Sequence, residues 1–181
     1  LSADPTEYRA RLDEQSDEQI DSWAVELLRD ISIRKGVLPV LEEFGVTVLE
    51  QPLVPTDVEG LGVIRMAASI PIIADESCRT ASDIPGLVGQ VDGINIKLAK
   101  CGSLREAIRM IAIARAHHMT VMVGCMIESS LAITAAAHFT PLVDIVDLDG
   151  AALLAEDPFV GATIAGGQLR LPTGPGLGVT P

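Results

Sequence analysis

From Leu38 onward, short apolar runs rich in β-branched residues alternate with longer Ala- and Leu-rich stretches, and most of the apolar runs end on a charged residue. The runs at residues 46–49, 70–74, 93–96, 120–123 and 145–148 have strand length and predict five strands. Between them, residues 103–117 set Leu104, Ala107, Ile108, Ile111 and Ala114 at helical spacing, so one face of that helix is apolar. Residues 129–137 predict another helix. Gly45, Gly93 and Gly124 lie in or beside the strands, where a close backbone approach or a turn is needed. Strands this apolar, alternating with helices, predict a parallel sheet covered by helices.

A doubly wound α/β sheet and a (β/α) TIM-type barrel both fit this alternation. Two features favour the barrel. No Gly-rich phosphate loop follows the first strand, and polar residues recur at the C-terminal ends of several strands, where barrel enzymes carry their chemistry. These are Glu50, Asp75, Lys97 and Asp147, the first three spaced 25 and then 22 residues apart. Eight such units need roughly 200 residues, yet only five strands are visible. Residues 1–36 are charged and helix-like at 8–18 and 23–33, with no convincing strand. We therefore expect a divergent, mostly helical segment over 1–36 and a partial barrel over 37–181, the C-terminal part of a larger protein.

Composition narrows the function. The chain has 181 residues, 48% of them hydrophobic, which supports a substantial core and excludes a disordered polypeptide. With 13 basic and 25 acidic side chains the formal net charge is −12, which argues against nucleic acid as a partner. No apolar run approaches the roughly 18–20 residues of a membrane helix, and no signal peptide opens the chain, so no membrane partner is expected. Cys78, Cys101 and Cys125 are widely spaced, without a Cys-x-x-Cys, and read as reduced thiols of a cytoplasmic protein.

Glu50, in Val-Leu-Glu-Gln-Pro, and Asp75, in Ile-Ile-Ala-Asp-Glu-Ser, end neighbouring strands, so their carboxylates can converge on a Mg²⁺ ion. The plainer alternative is that Asp75 or Ser77 caps a helix. Lys97 ends Gly-Ile-Asn-Ile-Lys; desolvation and a nearby cation would lower its pKa and make it a general base, whereas a structural lysine would reach out to solvent. Asp147 and Asp149 flank Leu148 and can point the same way, towards a metal or a substrate ammonium, or can mark an Asp-Gly turn. Cys125 follows a strand and otherwise reads as a small buried hydrophobe. His117, His118 and His138 lack metal-ligand spacing.

Together these segments resemble the enolase superfamily, in its muconate-lactonizing-like branch, and within it the dipeptide epimerases of the L-Ala-D/L-Glu type. The matching stretches are residues 38–53, 71–77, 92–102, 123–130, 147–150 and 171–179. The resemblance implies an isomerase that moves a proton at the α-carbon of a small dipeptide through an enolate, with Mg²⁺ as cofactor. By position, Glu50 and Asp75 resemble two metal ligands and Lys97 the acid/base on the sixth barrel strand. Asp147 and Asp149 resemble the pair that receives the substrate's α-ammonium, and Cys125 a substrate contact.

The sequence also departs from that pattern. It contains no Lys-x-Lys, the source of the second base, and no Asp-x-Asn-type motif for the first metal ligand, Asp21 being the nearest candidate. The family's N-terminal capping domain and first strands have no counterpart. The resemblance thus implies an incomplete active site, completed by a homo-oligomer or by association with a missing N-terminal portion. An N-acyl amino acid racemase or muconate cycloisomerase is the alternative within the branch, although Asp147 and Asp149 speak for a substrate bearing a free ammonium. A non-catalytic barrel remnant that needs a partner chain, or a binding module for small cations, is the alternative outside it.

Overall fold

The computed structural model describes residues 37–181. The helical stretches expected within residues 1–36, and Asp21, lie outside the described residues. Five parallel strands stand side by side in chain order: β1 (Leu49–Glu50), β2 (Ile72–Ala74), β3 (Gly93–Ile96), β4 (Thr120–Val123) and β5 (Ile145–Val146). A doubly wound sheet would reverse its order at a switch point. An unbroken sequential order is that of a barrel wall.

The helices α1 (Val37–Glu43), α2 (Val58–Ala67), α3 (Ile84–Leu87), α4 (Leu98–Cys101), α5 (Leu104–Ala116) and α6 (Ser130–Ala137) connect or flank these strands. Ser103 caps α5 by accepting from the Glu106 N–H at 3.2 Å, and Asp57 caps α2 through Gly60 at 3.0 Å. After β5 the chain makes a 3₁₀ turn (Gly150–Leu153) and a hairpin of β6 (Thr163–Ala165) and β7 (Gln168–Arg170). Gly166 and Gly167 turn that hairpin at φ +57° and +74°, the conformation a tight two-residue turn demands.

Three strands, β1, β2 and β5, are shorter than the apolar pattern suggests, because a strand exists only where a neighbour can pair with it. Residues 46–48 follow the Gly45 turn (φ +74°) and precede the first sheet bond, from the Leu49 N–H to the Pro71 carbonyl. At the other edge the last bond runs from the Asp147 N–H to the Val123 carbonyl.

The sheet has two buried faces with a period of two. Ile72, Ala74, Ile94, Ile96, Val121 and Val123 point to the helices and share a core with Leu61 and Ile64 of α2 and Ala107, Met110 and Ala114 of α5. Ile73, Gly93, Asn95, Met122 and Gly124 occupy the alternate positions, facing the barrel interior. Gly93 has no room for a side chain: a Cβ would lie 2.4 Å from the Thr120 carbonyl oxygen and 2.5 Å from Ile73 Cδ1.

At the N-terminal ends of the strands one device occurs twice. Asp92, before β3, accepts from the Ile72 N–H at 3.0 Å and from Arg65 Nε, in the last turn of α2, at 2.7 Å. Asp144, before β5, accepts from the Val121 N–H at 2.8 Å and from both terminal nitrogens of Arg115, in the last turn of α5, at 2.6 and 2.9 Å. No helix among the described residues is long and apolar enough to cross a membrane.

Candidate active site

The polar groups gather at the opposite end, where β1, β2 and β3 finish. Period-two alternation puts Asn95 and Lys97 on the same side of the third strand, towards Glu50 and Asp75 from the neighbouring ones. Lys97 Nζ lies 2.5 Å from Asp75 Oδ2 and 3.9 Å from Glu50 Oε1. Asn95 Nδ2 donates to Glu50 Oε1 at 2.6 Å. The Lys97 side chain is only 13% exposed and that of Asp75 only 4%, so this lysine does not reach out to solvent, and Asp75 caps no helix.

Two carboxylates and two lysines crowd into this half-buried site, and the crowding drives the pKa values of Glu50 and Asp75 apart. Burial, together with the Asp75 charge, raises the Glu50 carboxyl against the opposing bond from Asn95. Burial would raise Asp75 as well, but hydrogen bonds from Lys100 and Lys97 overcome it and hold that carboxyl below its usual value. The lowered pKa expected for Lys97 is not found. Burial does act to lower it, but the hydrogen bond and charge of Asp75, with the charges of Glu50 and Glu76, outweigh desolvation and raise it.

Glu50 and Asp75 form a hard-oxygen donor set of the kind that binds Mg²⁺, which commonly takes one or two carboxylates and completes its shell with water and substrate. Beside Glu50, Asn95 Oδ1 is buried without a hydrogen-bond partner among the described residues, a further oxygen donor at the same place. The residues present therefore fit a hard divalent cation. Among the described residues no cluster of three acidic, histidine or cysteine side chains forms a complete protein cage.

The other expected residues lie at the ends of β4 and β5. Asp147 and Asp149 are exposed, and among the described residues neither is ion-paired. Cys125 is half-buried, its Sγ accepting from the Gly150 N–H at 3.3 Å, so the loop after β4 is tied to the residue following Asp149. Burial raises the Cys125 thiol, opposed by that Gly150 bond. A Cβ on Gly150 would come within 1.9 Å of the Met126 carbonyl oxygen, which shows how closely the two loops meet. The Asp-Gly turn reading holds only locally, in that Asp149 precedes the 3₁₀ turn without a side-chain cap.

Residues 29–181 match the family model described as enolase C-terminal domain-like. The chain belongs to this family. An L-Ala-D/L-Glu epimerase from Bacteroides thetaiotaomicron is 42% identical over 139 residues, 77% of this chain and 36% of that protein. An L-Ala-D/L-amino acid epimerase from Maribacter is 47% identical over 143 residues, 78% of this chain and 42% of that protein. Among solved structures, a substrate-liganded L-Ala-D/L-Glu epimerase from Bacillus subtilis superimposes with a TM-score of 0.76 at 34% identity, covering 83% of this chain and 44% of that one. A dipeptide epimerase from Enterococcus faecalis, complexed with Mg and the dipeptide L-Leu-L-Tyr, gives 0.76 at 34% identity, covering 84% and 45%. This chain thus spans less than half the length of these relatives, and its fold is the C-terminal portion of an enolase-type barrel.

Three residues of this enolase-type site escape a reading of the sequence alone. Asn95 could have been found from its place two residues before Lys97, which puts both on one strand face. Gln51, next to Glu50, has φ +38°, a strained value for a residue other than glycine. Its Oε1 accepts from the Asp75 N–H at 2.8 Å and the Ser77 N–H at 3.2 Å, while its Nε2 donates to the Leu53 carbonyl and Ser77 Oγ, both at 2.9 Å. Gln51 thereby ties the first strand end to the second. Lys100 is the third.

Proposed function

We propose that this chain supplies the C-terminal part of the active site of a Mg²⁺-dependent dipeptide epimerase, an isomerase acting by proton transfer at an α-carbon. One observation carries it: Lys97 Nζ sits 2.5 Å from Asp75 and 3.9 Å from Glu50 at the mouth of an enolase-type half-barrel. The names of the relatives, epimerases of dipeptides, support the same reaction class.

In this reading Glu50 and Asp75 would hold Mg²⁺, which when bound offsets the negative charge developing on substrate oxygen as the α-proton leaves. Lys97 Nζ takes that proton, or returns it, on one face of the carbon. The hydrogen bond and charge of Asp75, with the charge of Glu50, hold the proton on Lys97, which is then set to donate. Neutralising Glu50 and Asp75 removes that hold and lets the amine accept. Asn95 fixes Glu50 through their 2.6 Å bond. Asp147 and Asp149, acidic and without ion-pair partners among the described residues, receive the substrate's α-ammonium, with Cys125 beside them. That pair favours a free dipeptide over the N-acylated or diacid substrates of the alternative branch members.

Among the described residues each edge strand, β1 and β5, pairs on one side only, and we place further strands of the barrel, from this protein or a second copy, against them. The free thiols of Cys78, Cys101 and Cys125 suit a reducing compartment, and we place the protein in the cytoplasm.

The test incubates L-Ala-L-Glu and L-Ala-D-Glu with protein and Mg²⁺ in D₂O, following the α-proton by NMR and chirality by polarimetry. The 181 residues contain no Lys-x-Lys, so we expect exchange of one isomer without inversion, abolished by Lys97→Ala. Full epimerisation that survives Lys97→Ala would remove Lys97 from the chemistry.

A further inference from the structure

Lys100 is a buried cation that the proposed mechanism leaves without a task. Its side chain is 6% exposed. The one-turn helix α4 starts directly after Lys97 and ends at Gly102 in a left-handed conformation (φ +78°), so Lys97 and Lys100 are three residues apart and approach one carboxylate from two sides. Lys97 meets Asp75 Oδ2, and Lys100 meets Asp75 Oδ1. Lys100 Nζ also donates to the carbonyl oxygens of Asp75 at 2.5 Å, Cys78 at 3.1 Å and Asn95 at 3.1 Å. Three N–H donors thus face four acceptors, and those acceptors come from both the turn after β2 and the strand β3.

A lysine serving only to satisfy carbonyl groups would have no need of a carboxylate oxygen. A lysine serving only to neutralise Asp75 would have no need of three carbonyls from two segments. Meeting both fixes the carboxylate relative to the backbone. Asp75 receives no hydrogen bond to its carboxylate from any backbone N–H among the described residues, so without Lys100 its carboxylate is held by Lys97 alone and can turn with that flexible side chain.

We propose that Lys100 is a positioning residue of this centre: its ammonium pins Asp75 Oδ1 and the turn at residues 75–78, so that Oδ2 stays directed at Lys97. What this pinning serves rests on the proposed function; the pinning itself does not. Lys100 touches no reacting atom. It also leaves Asp75 one oxygen, Oδ2, to share between Lys97 and a cation.

Trace acetylation with acetic anhydride, read by mass spectrometry at a temperature where melting curves show every variant folded, tests this directly. In the wild-type protein Lys100 should react at least about tenfold more slowly than Lys97, as expected for an amine enclosed in charge-assisted bonds. In Lys100→Met, Lys97 should react about tenfold faster than in wild type as its grip on Asp75 loosens, with Lys100→Gln in between. Asp144→Asn, which weakens an ion pair at the far end of the barrel, should leave the Lys97 rate unchanged. Equal wild-type rates for the two lysines overturn the clamp even where neither variant folds. A Lys97 rate in Lys100→Met that is unchanged, slower or matched by Asp144→Asn overturns the positioning role. Dipeptide α-proton exchange on the same samples separates the two readings: no exchange in wild type with the labelling contrast intact removes the epimerase but keeps Lys100, and exchange with no labelling contrast does the reverse.

Discussion

At the N-terminal ends of the strands, Asp92 and Asp144 each accept from a backbone N–H of the neighbouring strand and from an arginine on the helix that leads into that neighbouring strand. At the C-terminal ends, among the described residues, Glu50 and Asp75 accept only from side chains: Asn95, Lys97 and Lys100. The same chemistry, carboxylate against cation, therefore serves two purposes. A carboxylate fastened to a backbone N–H at the start of a strand closes the sheet and has little left to offer a ligand. One held only by movable side chains can exchange those partners for a metal or substrate. Barrels divide stability and chemistry between their two ends in this way.

Breaking the structural end should cost the most stability. Asp92→Ala leaves the Ile72 N–H without its carboxylate and Arg65 without its ion pair, so we expect a loss of ~1–3 kcal/mol in urea unfolding, with no change in Mg²⁺ affinity by calorimetry. A substitution at the active end should cost less stability and reach Mg²⁺ affinity as well. In Gly124→Ala the new Cβ would meet Asn95 Nδ2 at 2.6 Å and Oδ1 at 2.8 Å. Displacing that amide costs about 1–2 kcal/mol of stability and weakens Mg²⁺ binding through the loss of the Asn95–Glu50 bond.

The two ends should also respond oppositely to pH. Asp144 is held below its ordinary value, first by the Arg115 hydrogen bond. Its contribution is present above the unfolded carboxyl value and is lost as pH falls through the folded one. The pair is two-fifths exposed, so the effect is at most ~1 kcal/mol and fades in salt. Glu50 is raised above 4.5, chiefly by burial, so its ionisation costs stability as pH rises from the ordinary value through the folded one. In chelator, Glu50→Gln should melt higher than wild type above that range, and Asp144→Asn lower. Melting curves against pH check both signs.

Much of this division is legible in the sequence. Glu50, Asp75 and Lys97 stand at the ends of apolar runs, and a parallel sheet leaves few places for them but one rim. The alternation also yields the sheet itself, with β3 and β4 at their expected bounds. What escapes it depends on contacts across strands. Gln51 matters through a bond to the turn after β2, and Lys100 through four acceptors on two segments, none marked by local pattern. The raised Lys97 pKa escapes for the same reason, because composition shows an apolar setting while the structure shows two carboxylates within 4 Å. Asp92 and Asp144 read in sequence as ordinary polar residues before strands, and only register shows which N–H each one meets.

The most direct test of the division is one paired measurement, α-proton exchange in D₂O and the unfolding midpoint, on Lys97→Met and Asp144→Asn. With wild-type exchange established as above, Lys97→Met should lower the exchange rate by about 10²–10⁴ while leaving the fold intact. Asp144→Asn should lower the midpoint and leave exchange per folded molecule unchanged. Exchange that persists in Lys97→Met, or that falls equally in Asp144→Asn with the protein still folded, would contradict the account.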